Sequence, residues 1–384
     1  MSVLTMQITI NNFKSIENVT LRLRPLTILL GPPASGKSNI LDAMAFIGYF
    51  NKLRLLREEY NNNAQDLEPL ALIARFDEHM HIFRQYDLSR DIVISVDHER
   101  IREKVRVFFE QGKLRITVND AEIPWDLRAL YQDVALNVRE KLISTSADAG
   151  LIEARLYGYD RYGLAISAYV SPYVTYGHSF HHYLRGIFVR STPVHIMSEL
   201  GWNVTKVIRS SPDVVNRLNR VLREYLSEEV ELRVLREGNV VIFDYGYEVS
   251  PSAISDSVLR SLYYLMALRS TINYVKVHGL ENKFILMLEE PEAHVFPFLL
   301  DPLIDYALEA IKCSYVIMTT HNPLFVSRIW DRASDIKTYY VYRNSEGTTC
   351  AMELDVDKLA KELKTIEEIL YMMPNEVIQQ YLIT

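Results

Sequence analysis

The sequence of 384 residues predicts an α/β fold in which helices cover both faces of a mostly parallel core sheet, with an antiparallel β lobe and a helical insertion. Three observations carry this prediction. The apolar strand Leu26–Leu30 runs into a glycine-rich loop, and the hydrophobic period then changes from that of a strand to that of a helix. Two further apolar runs, Phe284–Leu288 and Tyr315–Met318, have the length of buried parallel strands. Strands that alternate with helical segments in this way are typical of α/β domains.

The remaining elements are predicted from the same periodicities. Strand-like alternation precedes the loop at Gln7–Ile10 and Val19–Leu23, and helical spacing follows it at Ile40, Leu41, Met44 and Ile47. A two-residue Gln111-Gly112 turn predicts a hairpin between Val105–Phe109 and Leu114–Val118. Further predicted elements are a strand at Ile92–Val96 and helices at Ala129–Leu142, Asp213–Leu226, Ala253–Leu268 and Pro297–Ala310.

We interpret residues 1–384 as one split domain. Residues 1–50 and 246–345 form the predicted core, residues 51–245 a helical and β insertion, and residues 346–384 a helical C-terminal tail. No internal repeat or sustained heptad pattern is found, which argues against a long coiled-coil arm.

The composition excludes several classes of protein. Hydrophobic residues make up 48% and charged residues 24%, the balance of a soluble globular protein, and no apolar run is long enough for a membrane span. The N-terminus lacks the features of a secretory signal, so we expect a cytoplasmic protein without membrane insertion. Two cysteines, Cys313 and Cys350, are too few for a disulfide framework.

Charge neither indicates nor excludes nucleic-acid binding. The formal net charge is −7, but a local basic face can occur on an acidic protein. Two segments, Glu99–Arg106 and Arg217–Arg223, are locally basic. A solvated strand edge or helix face explains both more simply than a nucleic-acid site.

The strongest motif is the segment Gly31–Ser38, which fits the phosphate-loop pattern G-x-x-x-x-G-K-[ST] without a mismatch. Glycines let successive backbone N–H groups point at phosphate oxygens, and the following helix N-terminus adds partial positive charge. Lys37 would contact the β- and γ-phosphates of ATP, and the Ser38 hydroxyl would complete a Mg²⁺ shell. The predicted nucleotide-binding residues here are Gly31, Pro32, Pro33, Ala34, Ser35, Gly36, Lys37, Ser38 and Asn39.

Polar residues follow both buried strands. Glu289 and Glu290 end the first strand, where an α/β sheet binds its ligands. Adjacent carboxylates on an extended chain point in different directions, so Glu289 would support Mg²⁺ while Glu290 orients or deprotonates the attacking water. His321 follows the second strand and would donate a hydrogen bond to the γ-phosphate. We expect Lys37, Glu290 and His321 to converge on one triphosphate.

In this order, these segments resemble the SMC/RecF-like branch of the ATP-binding-cassette ATPases. The resemblance is strongest to the stand-alone AAA-family ATPases related to the overcoming-lysogenization-defect (OLD) proteins. It rests on four segments and does not extend to residues 51–245. The four are FKSI at Phe13–Ile16, GPPASGKSNILDA at Gly31–Ala43, LEEPEAHVFP at Leu288–Pro297 and TTHNP at Thr319–Pro323.

The resemblance implies a segment that touches the γ-phosphate held by the partner subunit. Its place is filled here by Ser255, Asp256 and Ser257, at the start of a predicted helix where backbone N–H groups are unpaired. Ser255 would equally serve as an N-cap, and the two roles are compatible. Ser257 stands where the family usually has glycine, which weakens the expected contact.

Two further residues are assigned by resemblance. Gln85 is the nearest candidate for the glutamine that couples Mg²⁺ to lobe movement in cassette ATPases. His294 lies in the segment that faces the dimer seam in the family, and a structural role for it is equally open.

The implied function is an ATP-driven switch. ATP would hold a homodimer or higher oligomer together, hydrolysis by Glu290 would release it, and DNA or a separate effector protein would respond, in DNA repair or in defence against mobile elements. OLD nucleases carry a further Toprim domain, for which the residues after Pro323 are too few, so we expect any nuclease or toxin on a separate chain.

Three alternatives remain. A transporter motor subunit is disfavoured because Ser250–Arg260 lacks an LSGGQ-like sequence. A scaffold that holds ATP without turnover is disfavoured by the intact Lys37, Ser38, Glu290 and His321. A nucleotide kinase is disfavoured because no lid for a second substrate is recognisable.

Overall fold

A computed structural model of the chain describes most of the predicted core. The described residues are 6–60, 76, 79–98, 101–123, 185–186, 211–234, 240–249, 256–278, 281, 284–293, 295–362 and 366–383. The predicted helix Ala129–Leu142 and the candidate residues Ser255 and His294 lie outside these ranges.

The chain divides into two compact units. The first consists of Met1–Leu130, Gly186–Ser191 and Tyr315–Thr384, and the second of Tyr131–Arg185 and Thr192–Ser314. The phosphate loop and His321 belong to the first unit, and the two carboxylates belong to the second.

The described residues form the following strands and α-helices. In order they are β1 (Met6–Phe13), β2 (Ile16–Leu23), β3 (Leu26–Leu30), α1 (Lys37–Tyr60), β4 (Ile92–His98), β5 (Ile101–Glu110), β6 (Lys113–Val118), β7 (Ala121–Ile123), β8 (Arg185–Gly186), α2 (Pro212–Tyr225), β9 (Val230–Val234), β10 (Val240–Asp244), β11 (Tyr247–Val249), α3 (Asp256–His278), β12 (Ile285–Glu289), α4 (Leu300–Ala310), β13 (Tyr315–Thr320), α5 (Pro323–Trp330), β14 (Ile336–Arg343), β15 (Thr349–Glu353), α6 (Val356–Glu362) and α7 (Pro374–Gln380).

The first unit contains an antiparallel sheet in the order β2-β1-β4-β5-β6-β7. Its residues alternate between a buried and a more exposed face, as shown by Ile8 and Ile10 in β1, which are fully buried. The predicted hairpin is confirmed, since Glu110 pairs with Lys113 across Gln111-Gly112 and both turn residues have positive φ. Strands β4 to β7 of this sheet lie in residues 51–245, where the β lobe was predicted, whereas β1 and β2 come from residues 1–50, which were predicted as core.

The first unit also contains parallel strands. β3 lies between β13 and β14 and pairs in parallel with both, while β15 pairs antiparallel with β14. Residues of β3 and β13 are buried throughout, which explains why both read as continuous apolar runs. The predicted parallel core is therefore confirmed.

Helix α1 packs against β1, β4 and β5 of the antiparallel sheet. Residues 40–48 of the helix are buried, and Ile40, Leu41 and Phe46 are fully so. The Phe46 ring meets that of Phe13 edge-on, with ring centroids 5.7 Å apart. A segment packed this closely keeps a fixed position, so the loop before it is attached to a rigid base.

The C-terminal segment differs from the prediction of an all-helical tail. Strand β15 occupies its first part because Thr349–Glu353 pairs with β14. Two short helices, α6 and α7, and a 3₁₀ turn at Ile366–Leu370 then follow. Pro374 begins α7 rather than interrupting a longer helix, as a residue without a backbone N–H favours the first helical position.

The second unit combines helices with a three-stranded antiparallel sheet in the order β11-β10-β9. Helix α2 confirms the predicted helix at Asp213–Leu226, and its buried Asn219 bonds both the N–H and the carbonyl of Leu232. Helix α4 packs against α3 and is preceded by a 3₁₀ turn at Pro297–Leu299, so the predicted helix begins three residues late.

Acidic partners accompany five of the described basic side chains in the two basic segments. Arg106 Nη2 lies 2.6 Å from Asp91 Oδ2. Arg102 pairs with Asp97, and Lys104 pairs with Asp120. In the second segment, Arg217 pairs with Asp305 and Arg223 with Glu231. This charge balance agrees with solvated surfaces rather than a nucleic-acid footprint. Among the described helices, none has both the length and the apolar character needed to cross a bilayer.

Candidate functional site

The phosphate loop joins β3 to α1, as the sequence predicts. Gly31 and Gly36 have φ angles of 152° and 104°, which residues with a Cβ atom rarely adopt. A Cβ atom at Gly31 would lie 2.1 Å from the Val341 carbonyl oxygen, and one at Gly36 would lie 2.0 Å from Oγ1 of Thr349. Both glycines are therefore required by backbone conformation and by close neighbours.

Lys37 is folded against the loop that precedes it. The residue is only 5% exposed, and its Nζ donates to the carbonyl oxygens of Gly31 at 2.7 Å and Pro32 at 2.9 Å. The ammonium group is thus held inside the curve of the loop, at the N-terminus of a helix with no acidic residue in its first turn. Both features place positive charge where a phosphate would bind.

The remaining loop residues differ in burial and in hydrogen bonding. Ser35 Oγ is buried and has no hydrogen-bond partner within the described residues. Ser38 is half-buried in the first turn of α1, and Pro33 and Ala34 are exposed. Asn39 donates from Nδ2 to Ser15 Oγ at 2.6 Å, so its amide braces a neighbouring turn. The glycine cradle, the buried ammonium group and the unsatisfied hydroxyl together fit a nucleoside phosphate.

The FKSI segment that carries part of the resemblance forms the turn between β1 and β2. Lys14 in this turn makes an ion pair of 2.6 Å with Asp42 of α1, whose side chain is 1% exposed. Ser15 contacts Asn39 on the same helix. The motif therefore anchors α1, and with it the phosphate loop, from the side of the antiparallel sheet.

His321 follows β13 directly. Thr320, the last residue of this strand, pairs in register with Leu30, the residue before Gly31. His321 and Gly31 therefore leave adjacent strands at the same edge of the parallel sheet. The His321 side chain is exposed there, and Asn322 caps α5 by accepting from the Phe325 N–H at 3.2 Å.

Gln85 lies on an exposed turn with φ of 52°. Its neighbour Arg84 donates from Nη2 to Thr348 Oγ1 at 2.6 Å, beside the residue whose side chain faces Gly36. The turn is thus tied to the strand that packs on the phosphate loop. Its role as a Mg²⁺ ligand stays a prediction.

In the second unit, β12 ends at Glu289 and the chain turns sharply. Glu290 has φ of 44°, an unusual backbone conformation for a residue with a side chain, and its carbonyl accepts from the Ala293 N–H at 2.9 Å. Such conformations concentrate at functional sites, where the surrounding structure holds them. The two carboxylates therefore lie on a tightly constrained turn.

Helix α3 holds this turn through a row of polar residues. Tyr264 donates its hydroxyl to the Glu289 carbonyl at 3.0 Å, and Arg260, only 4% exposed, donates to the Ala293 carbonyl at 2.9 Å. Burial raises the pKa of Tyr264 well above its usual range, against the opposing effect of Arg260. Tyr264 therefore stays protonated and remains a donor.

Of the predicted segment that would reach the partner's nucleotide, Asp256 begins α3 and Ser257 follows it. Ser257 Oγ accepts from the Phe296 N–H at 2.8 Å, at the far end of the turn that contains the carboxylates. Its hydroxyl thus joins the start of α3 to that turn. Contact between these residues and nucleotide stays a prediction.

We expect Tyr264→Phe to lower turnover of ATP without weakening ATP binding. The change removes the donor to the Glu289 carbonyl, which costs about 1 kcal/mol of stability and loosens the carboxylate turn. Tyr306→Phe is the matched control, because Tyr306 donates to Asp213 elsewhere in the same unit. Phosphate release and the unfolding midpoint should be measured for both. Equal turnover in the two variants would contradict the role given to Tyr264.

Sequence reasoning missed four residues of these sites. Thr349 and Arg343 contact the phosphate loop from more than 300 positions away, and no local pattern marks them. Arg260 and Tyr264 are four residues apart on α3, a helical spacing that was available as a signal. Such a pair usually faces solvent or core, so this spacing alone does not indicate a role in the site.

Comparison with known proteins agrees with this structure. A protein-family profile described as the AAA ATPase domain matches residues 6–147, which include the FKSI turn and the phosphate loop. Among curated proteins, none matches the sequence significantly.

Solved structures of SMC heads are similar in fold. An Smc head bound to the C-winged helix domain of ScpA shares 13% identity over 92% of this chain and 99% of that chain, with a TM-score of 0.50. A head from Pyrococcus furiosus with an extended coiled coil, bound to the C-terminal domain of ScpA, shares 14% identity over 95% and 99% of the two chains, with a TM-score of 0.48. The SMC head domain from Thermotoga maritima shares 13% identity over 91% of this chain and 99% of that chain, with a TM-score of 0.42. The predicted fold, that of an SMC-like head, is confirmed, while the closer likeness to OLD proteins stays a prediction.

Proposed function

We propose that this chain binds ATP with Mg²⁺ at the phosphate loop and hydrolyses it, as an ATPase of the SMC-like class. The observation that carries the proposal is the loop itself. Two glycines that admit no side chain curve the backbone around a buried ammonium group at a helix N-terminus. This combination of donors and charge recognises phosphate in particular.

The proposed roles follow the chemistry of each side chain. Lys37 binds the β- and γ-phosphates, Glu290 orients and deprotonates the attacking water, and His321 donates a hydrogen bond to the γ-phosphate. Ser38, Glu289 and Gln85 are the proposed protein ligands of Mg²⁺. When bound, Mg²⁺ would neutralise charge on the phosphate oxygens.

We further propose that ATP joins two copies of the chain and that a separate effector protein responds to this state. Support for the dimer comes from the resemblance of the Ser255–Ser257 segment. Support for an effector comes from the Smc head solved with a domain of ScpA. The acidic partners of Arg102, Lys104 and Arg106 favour a protein over DNA on that face of the sheet. DNA remains a candidate for other surfaces, and repair or defence against mobile elements remains the proposed context.

Steady-state phosphate release tests the proposal. The purified chain should release phosphate from ATP in the presence of Mg²⁺, and chelation with EDTA should abolish release, because phosphoryl transfer depends on the metal to offset charge. Added Mg²⁺ should restore the activity, which separates metal dependence from damage by the chelator. Nucleotide binding without turnover, in the presence and absence of DNA, would favour a scaffold instead.

A further inference from the structure

We propose that the hairpin formed by β14 and β15 is a template for the phosphate loop, with Thr349 as its positioning residue. The inference rests on the proposed ATP-binding function and adds residues that no sequence motif marks. Four contacts connect this hairpin to the loop, and each one constrains a different part of it.

The first two contacts are steric. The Val341 carbonyl faces Gly31, and the Thr349 side chain faces Gly36, each so closely that a Cβ on the glycine would lie about 2 Å away. The hairpin therefore touches both glycines of the motif. A loop packed this closely at its two ends cannot shift toward the sheet.

The other two contacts are hydrogen bonds to loop carbonyls. Thr349 Oγ1 donates to the Ser35 carbonyl at 3.1 Å, and Arg343 Nε donates to the Ala34 carbonyl at 2.9 Å. With these oxygens directed toward the hairpin, the two peptide planes are fixed. The Ser35 N–H donates to the Pro32 carbonyl at 3.3 Å and closes the turn, and the plane that carries the Gly36 N–H is held for an anion. Thr349 is fully buried, whereas Arg343 is exposed.

Thr349 also receives support from the rest of the first unit. Its backbone N–H donates to the Ser15 carbonyl at 2.9 Å, and its Oγ1 lies 2.6 Å from Ser15 Oγ. The adjacent Thr348 accepts from Arg84. One position therefore links the phosphate loop, the FKSI turn and, through its neighbour, the turn that carries Gln85.

The test compares isosteric and conservative changes at Thr349. Thr349→Val keeps the shape and removes the hydroxyl, so the Kd for a fluorescent ATP analogue should rise about tenfold, because the hydrogen bond to the Ser35 carbonyl and the contact with Ser15 Oγ are both lost. Thr349→Ser keeps the hydroxyl and should bind within about twofold of wild type by the same reasoning. An unfolding midpoint should be recorded for each variant.

Thr338→Val is the matched control. Thr338 is buried in β14 and accepts from Trp330 Nε1 at 3.1 Å, but it pairs with Ile28, well before the loop. This variant should lose stability and keep the wild-type Kd. Arg343→Met adds a variant at an exposed site that should fold normally and weaken binding about fivefold, the equivalent of one hydrogen bond.

The outcomes separate the two proposals. If the wild-type chain does not bind the analogue, the proposed function fails. If wild type binds and Thr349→Val and Arg343→Met bind equally well, the template fails while the function stands. Thr349→Ser binding as weakly as Thr349→Val would also overturn it, because the hydroxyl would then not matter.

Discussion

Replacing Lys37 with alanine is expected to abolish detectable ATP binding. The buried ammonium group lies inside the curve of the loop, where it donates to the carbonyls of Gly31 and Pro32. A charge-assisted hydrogen bond contributes about 1.5–3 kcal/mol, so the loss of two such contacts to phosphate should weaken binding at least about 100-fold. Isothermal titration calorimetry with ATP and Mg²⁺ measures this directly.

Two controls make the result specific. Lys113→Ala removes the same charge from the exposed start of β6, beside the Gln111-Gly112 turn, and should leave ATP affinity unchanged. Circular dichroism should show that Lys37→Ala is folded, since the carbonyls that it frees can accept from water. If the folded Lys37→Ala variant keeps the wild-type affinity, ATP binds at a site other than this loop.

The features that the sequence predicted correctly are local. The strand, loop and helix around Gly31–Ser38 follow from a change of period and from two glycines, and each glycine later proved to have a positive φ. The hairpin at Gln111-Gly112 was predictable because a two-residue turn selects residues that accept positive φ. In both cases a few neighbouring residues carry the whole signal.

The features that the sequence did not reveal depend on distant contacts. The hairpin of β14 and β15 meets the phosphate loop through Arg343 and Thr349, residues of types that commonly occupy strand ends. The prediction of a helical tail is wrong for β15, because the residues of this strand are held in an extended conformation by their pairing with β14. The resemblance predicts that Ser257 contacts nucleotide, whereas the hydrogen bond that its Oγ accepts from the Phe296 N–H is apparent only from the structure.

A similar division applies to the carboxylates. The sequence placed Glu289 and Glu290 at a strand end, and the structure shows that end as a constrained turn held by Tyr264 and Arg260. The proposal that Glu290 acts on ATP bound by Lys37 stays a prediction. The rate of ATP hydrolysis by a Glu290 variant tests it.

Glu290→Gln is expected to bind ATP normally and to hydrolyse it about 10²–10⁴ times more slowly, the range by which a positioned acid or base accelerates a reaction. Glutamine has nearly the size of glutamate but cannot accept the proton of the attacking water. The turn should persist, because its hydrogen bond from the Ala293 N–H goes to the backbone carbonyl of residue 290. Glu248→Gln, at an exposed position of β11 in the same unit, is the matched control and should hydrolyse ATP at the wild-type rate.

The same variant tests whether ATP joins two copies of the chain. If hydrolysis releases the dimer, a variant that binds ATP without cleaving it should accumulate as a dimer, so light scattering should show a doubled mass with saturating ATP and the monomer mass without it. Wild type should show the dimer only transiently, because turnover returns it to monomers. A Glu290→Gln variant that binds ATP and stays monomeric would contradict the nucleotide-bridged dimer while leaving ATP binding intact. Wild-type turnover in that variant would instead assign the proton transfer to another group.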